Sequence, residues 1–289
     1  MTSGADISND NIAAAEAVLR RCGELPDDKI DLAEAALALA MLDGEHVDAA
    51  PYRRHLGTLA RDLVAAADGS NGRLAGQLVH RATLLKTVIL DRHGYDGDTE
   101  TYDDLQNANL IRVIDRRRGL PVALGILFMH AARAAGWTVH GLNFPAHFLL
   151  RLDRGPERAV IDPFHGGKLR DAAALRALLK QVAGDRIELS QAHYSPVGNR
   201  AVLLRLHNNV KSRLFRLNRV AEAARAAQAM LWLSPRDAGL WREAGLMQAH
   251  LGNLKRGIEA LETAIGLGLP DQQRRETELA LKRLRGKLN

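Results

Sequence analysis

His147 lies in "FPAHFLLRL" and Asp162 in "RAVIDPF", two apolar runs joined by the polar stretch "DRGPE". If the runs are adjacent strands, the carboxylate can accept the proton of one imidazole nitrogen. That fixes the tautomer and raises the basicity of the other nitrogen. An imidazole so oriented commonly serves a nucleophile, and cysteine suits it because the pair can hold the thiolate. The competing reading is structural. Asp162 would cap the "DPF" turn, and His147 would be a satisfied buried imidazole.

No nucleophile accompanies the pair. The only cysteine, Cys22, sits in "RRCGELP" at a helix end, with nothing nearby to activate it. The stretch 119–136, "GLPVALGILFMHAARAAG", contains no Cys, Ser or Thr. A metal is not expected either. His130, His140, His147, His165 and Asp162 offer suitable ligand types, but no HExxH or CxxC pairing is present. "PFHGG" is a turn, not a phosphate loop, and no dinucleotide fingerprint occurs, so no cofactor is expected.

The elements that must position these residues follow from periodicity. Aromatics are 4% of the chain against 46% hydrophobic, so the core must be Ala, Leu and Val, a composition that favours helices. From residue 12 to about 93, four segments repeat apolar residues at helical spacing, broken at "GELPDD", "DGEHVDAAP" and "DGSNG". "LPVALGILFMHAARAAG" is apolar nearly all round and reads as a buried helix, with Pro121 in its first turn and Gly136 as its stop. "WTVHGLNF", "HFLLRL" and "RAVIDPF" read as strands, with "DRGPE" as a hairpin turn. "RDAAALRALLKQVA" closes the segment as a helix.

The last 90 residues read as helical repeats. Pro235 and Pro270 end two units 35 residues apart, close to the period of about 34 of a tetratricopeptide repeat. In the second unit, with Trp241, Gly245 and Gly252 as anchors, helices are expected at 238–250 and 254–265. The first unit is degenerate, with Lys211 in the position of Gly245. "DQQRRETELALKRLRGKLN" caps the stack. The domain reading is 12–195 for the helical N-terminal part plus an α+β core (about 94–190), and 200–289 for the repeats and cap.

At these residues the chain resembles a known family. "YDDLQNANLIRVIDRRRGLPVALGILFMHAARAAGW", "NFPAHFLLRL" and "VIDPFHGGKL" are similar to the transglutaminase-like domain of SirB-type proteins, which tetratricopeptide repeats follow. The resemblance implies a mostly helical α+β fold: a papain-like core of one buried helix against a small antiparallel sheet, with N-terminal helices and a C-terminal tetratricopeptide-like array. It maps the family's histidine onto His147 and its aspartate onto Asp162. The family's cysteine would fall within 119–125, here "GLPVALG", a loss this family commonly shows. Ala146 stands where the family's "PGHF" carries glycine.

Retained neighbours suggest a pocket. Arg116, Arg117, Arg118 and Gly119 precede the buried helix, and Asn107 and Asn109 lie just upstream. Guanidinium groups beside a helix start favour a carboxylate or phosphate. The alternative is scaffolding, with Asn caps, Arg–Asp pairs and Gly119 permitting the turn.

Charge runs from −6 over residues 1–99 through +3 over 100–199 to +9 over 200–289. The basic third does not interleave with aromatics, so the expected partner is a protein or peptide on the repeats rather than nucleic acid. No run is long enough for a membrane span and the first residues do not read as a signal peptide. With a lone cysteine, the cytoplasm is the expected compartment. The functional expectation is a cysteine-less, non-catalytic domain acting in binding or regulation. The alternative is an amide or peptide hydrolase with His147 as general base, oriented by Asp162.

Overall fold

Pro121 starts the helix around which the chain is built. The structure, a computed structural model, describes residues 4–43, 48–69 and 77–288. Helix α6 (Pro121–Ala134) has Pro121 in its first turn, where the missing N–H costs nothing, and ends before Gly136, which takes a positive φ of 71°. Residues Val122 through Met129 are all buried, so α6 presents no solvent face before its last turn.

On one side lies a five-stranded antiparallel sheet of order β6-β5-β4-β3-β7. Its strands are β3 (Thr138–Leu142), β4 (Leu150–Arg154), β5 (Glu157–Asp162), β6 (Lys168–Leu169) and β7 (Pro196–Val197). The β4–β5 hairpin turns through Gly155 (φ 55°) and Pro156, as "DRGPE" predicts. A short parallel pair, β1 (Asp96–Gly97) with β2 (Arg118–Gly119), sits at the α6 N-terminus. Helix α7 (Ala172–Ala183) covers its own apolar cluster of Leu142, Phe144, Leu149, Leu175, Leu178 and Leu179.

The contact between α6 and the sheet depends on two missing side chains. The Phe148 ring fits where it does because Gly125 on α6 and Gly141 on β3 are glycines. A Cβ would lie 2.5 Å from the ring at Gly125 and 2.6 Å from it at Gly141.

Helices α1 (Gly4–Glu24), α2 (Leu32–Met41), α3 (Ala50–Asp68) and α4 (Leu78–Leu85) supply the other side, and α4 runs on into a π-helical turn, Lys86–Arg92. Asp31 caps α2 by accepting from Ala33 N and Glu34 N. Residues 44–47 of the break "DGEHVDAAP", residues 70–72 of "DGSNG" and the start of the fourth segment, 73–76, lie outside the described residues. Helix α5 (Leu110–Arg116) leads into β2.

The C-terminal helices are α8 (Asn199–Arg216), α9 (Val220–Leu233), α10 (Ala238–His250), α11 (Leu254–Leu267) and α12 (Asp271–Leu288). The second repeat falls where its anchors place it. Gly245 allows α10 and α11 to close, since a Cβ there would meet Leu261 at 2.9 Å. In the first repeat Lys211 is buried and pairs instead with Glu243 of α10. One apolar cluster runs from Ala15 to Met247, so α1, α2, α6 and α8–α10 share a core.

One tertiary cap has no sequence-local signal. Asp27 accepts from Asn199 N at 2.7 Å and from Arg200 N at 2.8 Å, capping α8 from the far end of the chain. Gly198 makes room for it, because a Cβ would lie 2.3 Å from that carboxylate.

Candidate functional site

His147 and Asp162 meet at the open end of the β4–β5 hairpin. Leu150 pairs with Ile161 in register, which puts Asp162 level with the segment just before β4. His147 Nε2 and Asp162 Oδ1 are 2.9 Å apart and both side chains are buried. His147 is not in a strand. It sits in a turn, because Ala146 before it takes the left-handed conformation, φ 51°. From α8, Arg205 Nη2 donates to Phe144 O at 2.9 Å and to His147 O at 2.6 Å, closing that turn.

The backbone at Ala146 gives a physical reason for a glycine in the related "PGHF". A left-handed alanine costs about 1–2 kcal/mol, and glycine offsets part of that gain through its freer unfolded chain. Ala146→Gly should therefore stabilise the protein by about 0.5–1 kcal/mol in urea denaturation. A loss of stability would show that this turn carries no strain.

Asp162, 0% exposed, accepts from six donors. Oδ1 takes His147 Nε2, Phe164 N and His165 N; Oδ2 takes His165 Nδ1 at 2.8 Å and Arg170 Nε and Nη2 at 3.1 and 2.7 Å. Burial alone would raise its pKa. The bonds from His147, Arg170 and His165 outweigh burial and hold the carboxyl well below the usual range. One carboxylate thus orients the imidazole and caps the "DPF" turn, the two readings that the sequence set against each other.

Sequence reasoning grouped His165 with His147 and Asp162 only as ligand types for a metal, and it missed Arg170. The available signal was the three-residue spacing of His165 from Asp162 across a Pro-containing turn. His147, Asp162 and His165 each offer a ligand atom within 4.8 Å of the others, so the trio could hold a metal ion. Arg170 already neutralises the same carboxylate, which opposes a second cation there. His130 and His140 do not join them: His130 Nε2 lies 3.2 Å from Leu56 O, and His140 lies 3.7 Å from Asp153.

The six residues upstream of α6 go to separate places. Arg116 donates to Asn107 Oδ1 at 2.9 Å and to buried Asp98 at 2.7 Å, while Asn107 Nδ2 donates to Thr101 O at 2.6 Å. Arg117 ends α5 in the left-handed conformation (φ 57°) and donates to Tyr95 Oη and His55 Nε2. Burial, then the Arg117 charge, lower the His55 pKa to about 4. Arg118 is exposed on β2. Gly119 is needed for close approach rather than for a positive φ, since a Cβ would meet Val113 at 2.8 Å. Asn109 caps α5 through Arg112 N and reaches back to Ala40 O and Asp43.

Cys22 lies where α1 packs on α9, its carbonyl held by Arg200 Nη2 at 2.8 Å. Burial pushes its thiol pKa up, the opposite of what an activated nucleophile needs.

A buried helix against an antiparallel sheet, a histidine–aspartate pair at the sheet's end and antiparallel helix pairs behind it define a transglutaminase-like domain carrying helical repeats. The chain belongs to the transglutaminase-like superfamily, whose family model matches residues 50–208, and residues 210–285 match the tetratricopeptide repeat. It is 33% identical over 177 residues to a UPF0162 protein of Xylella fastidiosa (strain 9a5c), covering 58% of this chain and 63% of that one. The chain thus spans less than two thirds of that relative's length. It is 35% identical over 77 residues to human F-box only protein 21, covering 27% of this chain and 12% of the other. A crystal structure of menin, described as revealing the binding site for Mixed Lineage Leukemia protein, aligns at TM-score 0.40 and 9% identity over 92% of this chain and 72% of menin. Among the described residues no helix is long and apolar enough to cross a membrane.

Proposed function

We propose that this chain is a non-catalytic transglutaminase-like protein that binds or regulates a protein partner, in the cytoplasm, through its helical repeats. In this reading residues 12–195 form the scaffold and 200–289 the platform. The observation that carries it is the Asp162 carboxylate, saturated by six donors as a structural clamp, beside a 119–125 stretch without a nucleophile. The platform offers a surface to match: Phe215 and Leu217 at the α8–α9 turn and Leu251 after α10 are exposed apolar side chains.

The test keeps the full chain. Phe215→Ser, Leu217→Ser and Leu251→Ser together should abolish capture of a partner that the wild type retains from native extract. Capture unchanged by the triple variant, or nothing specific captured, would count against the platform. The second reading, His147 as general base in amide hydrolysis, is favoured by its Nε2 contact with Asp162, which leaves Nδ1 to take a proton. Turnover of amide and peptide substrates that falls at least about 100-fold in His147→Ala would establish it and overturn the non-catalytic reading.

A further inference from the structure

The helical repeats carry an exposed apolar side chain at the same place on each of three helices. Lys211 of α8 pairs with Glu243 of α10, and Arg242 of α10 reaches Glu276 and Thr277 of α12 at 2.7 and 3.1 Å. These pairs set α8, α10 and α12 side by side. Leu246 follows Arg242 by four residues and Glu243 by three, so it stands between the two pairs. It points away from the buried Leu240, Ala244 and Met247 of the same helix. Both neighbouring helices repeat the spacing: Phe215 follows Lys211 by four residues, and Leu279 follows Glu276 by three. Phe215, Leu246 and Leu279 are 54%, 37% and 58% exposed. A single exposed apolar residue is ordinary, but three at equivalent positions form a stripe along one face of the array.

The charge beside the stripe is positive and uncompensated. Arg275, Lys282 and Arg283 are exposed and lie within one helical turn of Leu279. Among the described residues no carboxylate pairs with any of these three cations. The carboxylates of α12 are placed elsewhere: Glu276 is engaged by Arg242, Glu278 by Arg274, and Asp271 sits in the first turn. Glu243, one turn before Leu246, is held by Lys211. The whole segment 200–289 carries a net charge of +9.

This face selects a partner that brings apolar side chains to cover the stripe and carboxylates to meet the cations. Nucleic acid is disfavoured, because bases bind by stacking on aromatic rings and the stripe offers only Phe215. We propose that this face of α8, α10 and α12 docks an acidic peptide segment of a partner protein. Its apolar residues cover Phe215, Leu246 and Leu279, and its carboxylates meet Arg275, Lys282 and Arg283. The proposal rests on the reading of the repeats as a binding platform and names the chemistry of what they bind.

The probe is a fluorescein-labelled peptide of about twelve residues repeating Leu-Glu-Asp, too highly charged to fold by itself. The full chain should bind it with a Kd of about 10–100 µM by fluorescence anisotropy, more weakly as salt rises. Peptides repeating Ser-Glu-Asp or Leu-Lys-Lys should bind at least about tenfold more weakly. Leu246→Ser should weaken the probe at least about fivefold. Arg275→Gln, Lys282→Gln and Arg283→Gln together should do the same and flatten its salt dependence. Val79→Ser, at an exposed apolar position on α4, should leave binding unchanged. Melting curves control for folding, and the charge variant, confined to exposed side chains, decides alone if Leu246→Ser does not fold. No binding of the probe at about 1 mM overturns the proposal. So does equal binding of either control peptide, unchanged affinity in either folded variant, or tighter binding of a single-stranded RNA oligonucleotide. If capture from extract depends on Phe215, Leu217 and Leu251 while the probe does not bind, the platform stands and this assignment of its partner falls.

Discussion

Asp162→Ala should destabilise the protein by about 3–5 kcal/mol, the range for removing one partner of a buried charged pair. The carboxylate is fully buried, and its removal strands two N–H groups of Arg170, both neighbouring imidazoles and the N–H groups of Phe164 and His165. Asp162→Asn keeps the volume but turns an amide N–H2 toward donors, so it should lose most of the same stability. The pH dependence has a definite sign. The folded carboxyl is held below its unfolded value, so its contribution is complete above about pH 4 and falls away as the pH drops below it. Through this carboxyl, the gap between wild type and Asp162→Ala in denaturant midpoint should therefore shrink as the pH falls from about 4 toward 3. A gap below about 1 kcal/mol at pH 7 would mean that Asp162 serves only to orient His147.

The parts of this fold with short-range causes were legible in the sequence. Pro121 and Gly136 bracket α6, "DRGPE" turns the β4–β5 hairpin, and the spacing of Pro235 and Pro270 reveals the repeats. Even the pairing of His147 with Asp162 follows from two runs joined by a tight turn. What escaped depends on residues distant in sequence. His147 sits in a turn because Arg205, 58 residues on, holds its carbonyl, whereas the apolar run "HFLLRL" reads as a strand that includes it. Asp27 caps a helix 172 residues away. Arg116, Arg117 and Arg118 are adjacent and suggest one anion site, yet Arg117 takes the left-handed conformation between α5 and β2 and the side chains go to separate places.

Arg205→Met should cost about 2–4 kcal/mol, since a hydrogen bond to a charged group contributes about 1.5–3 kcal/mol and two carbonyls lose their shared donor. The guanidinium also lies 5.5 Å from the centre of the Phe148 ring, and no carboxylate pairs with it among the described residues. Methionine keeps the apolar stem, so the loss reports the head group. Lysine, a point charge without the planar fork, should recover only part of it. The sharper expectation concerns coupling. Arg205 clamps the turn that holds Ala146 left-handed, so without the clamp that turn can relax. Ala146→Gly should then lose its benefit in the Arg205→Met background, giving an interaction of at least about 0.5 kcal/mol in a double-mutant cycle. Strict additivity would mean that α8 does not impose the turn and that the strain at Ala146 comes from the sheet. Coupling would instead make the first helix behind the core a direct determinant of where His147 stands, so that whatever displaces α8 also displaces the imidazole.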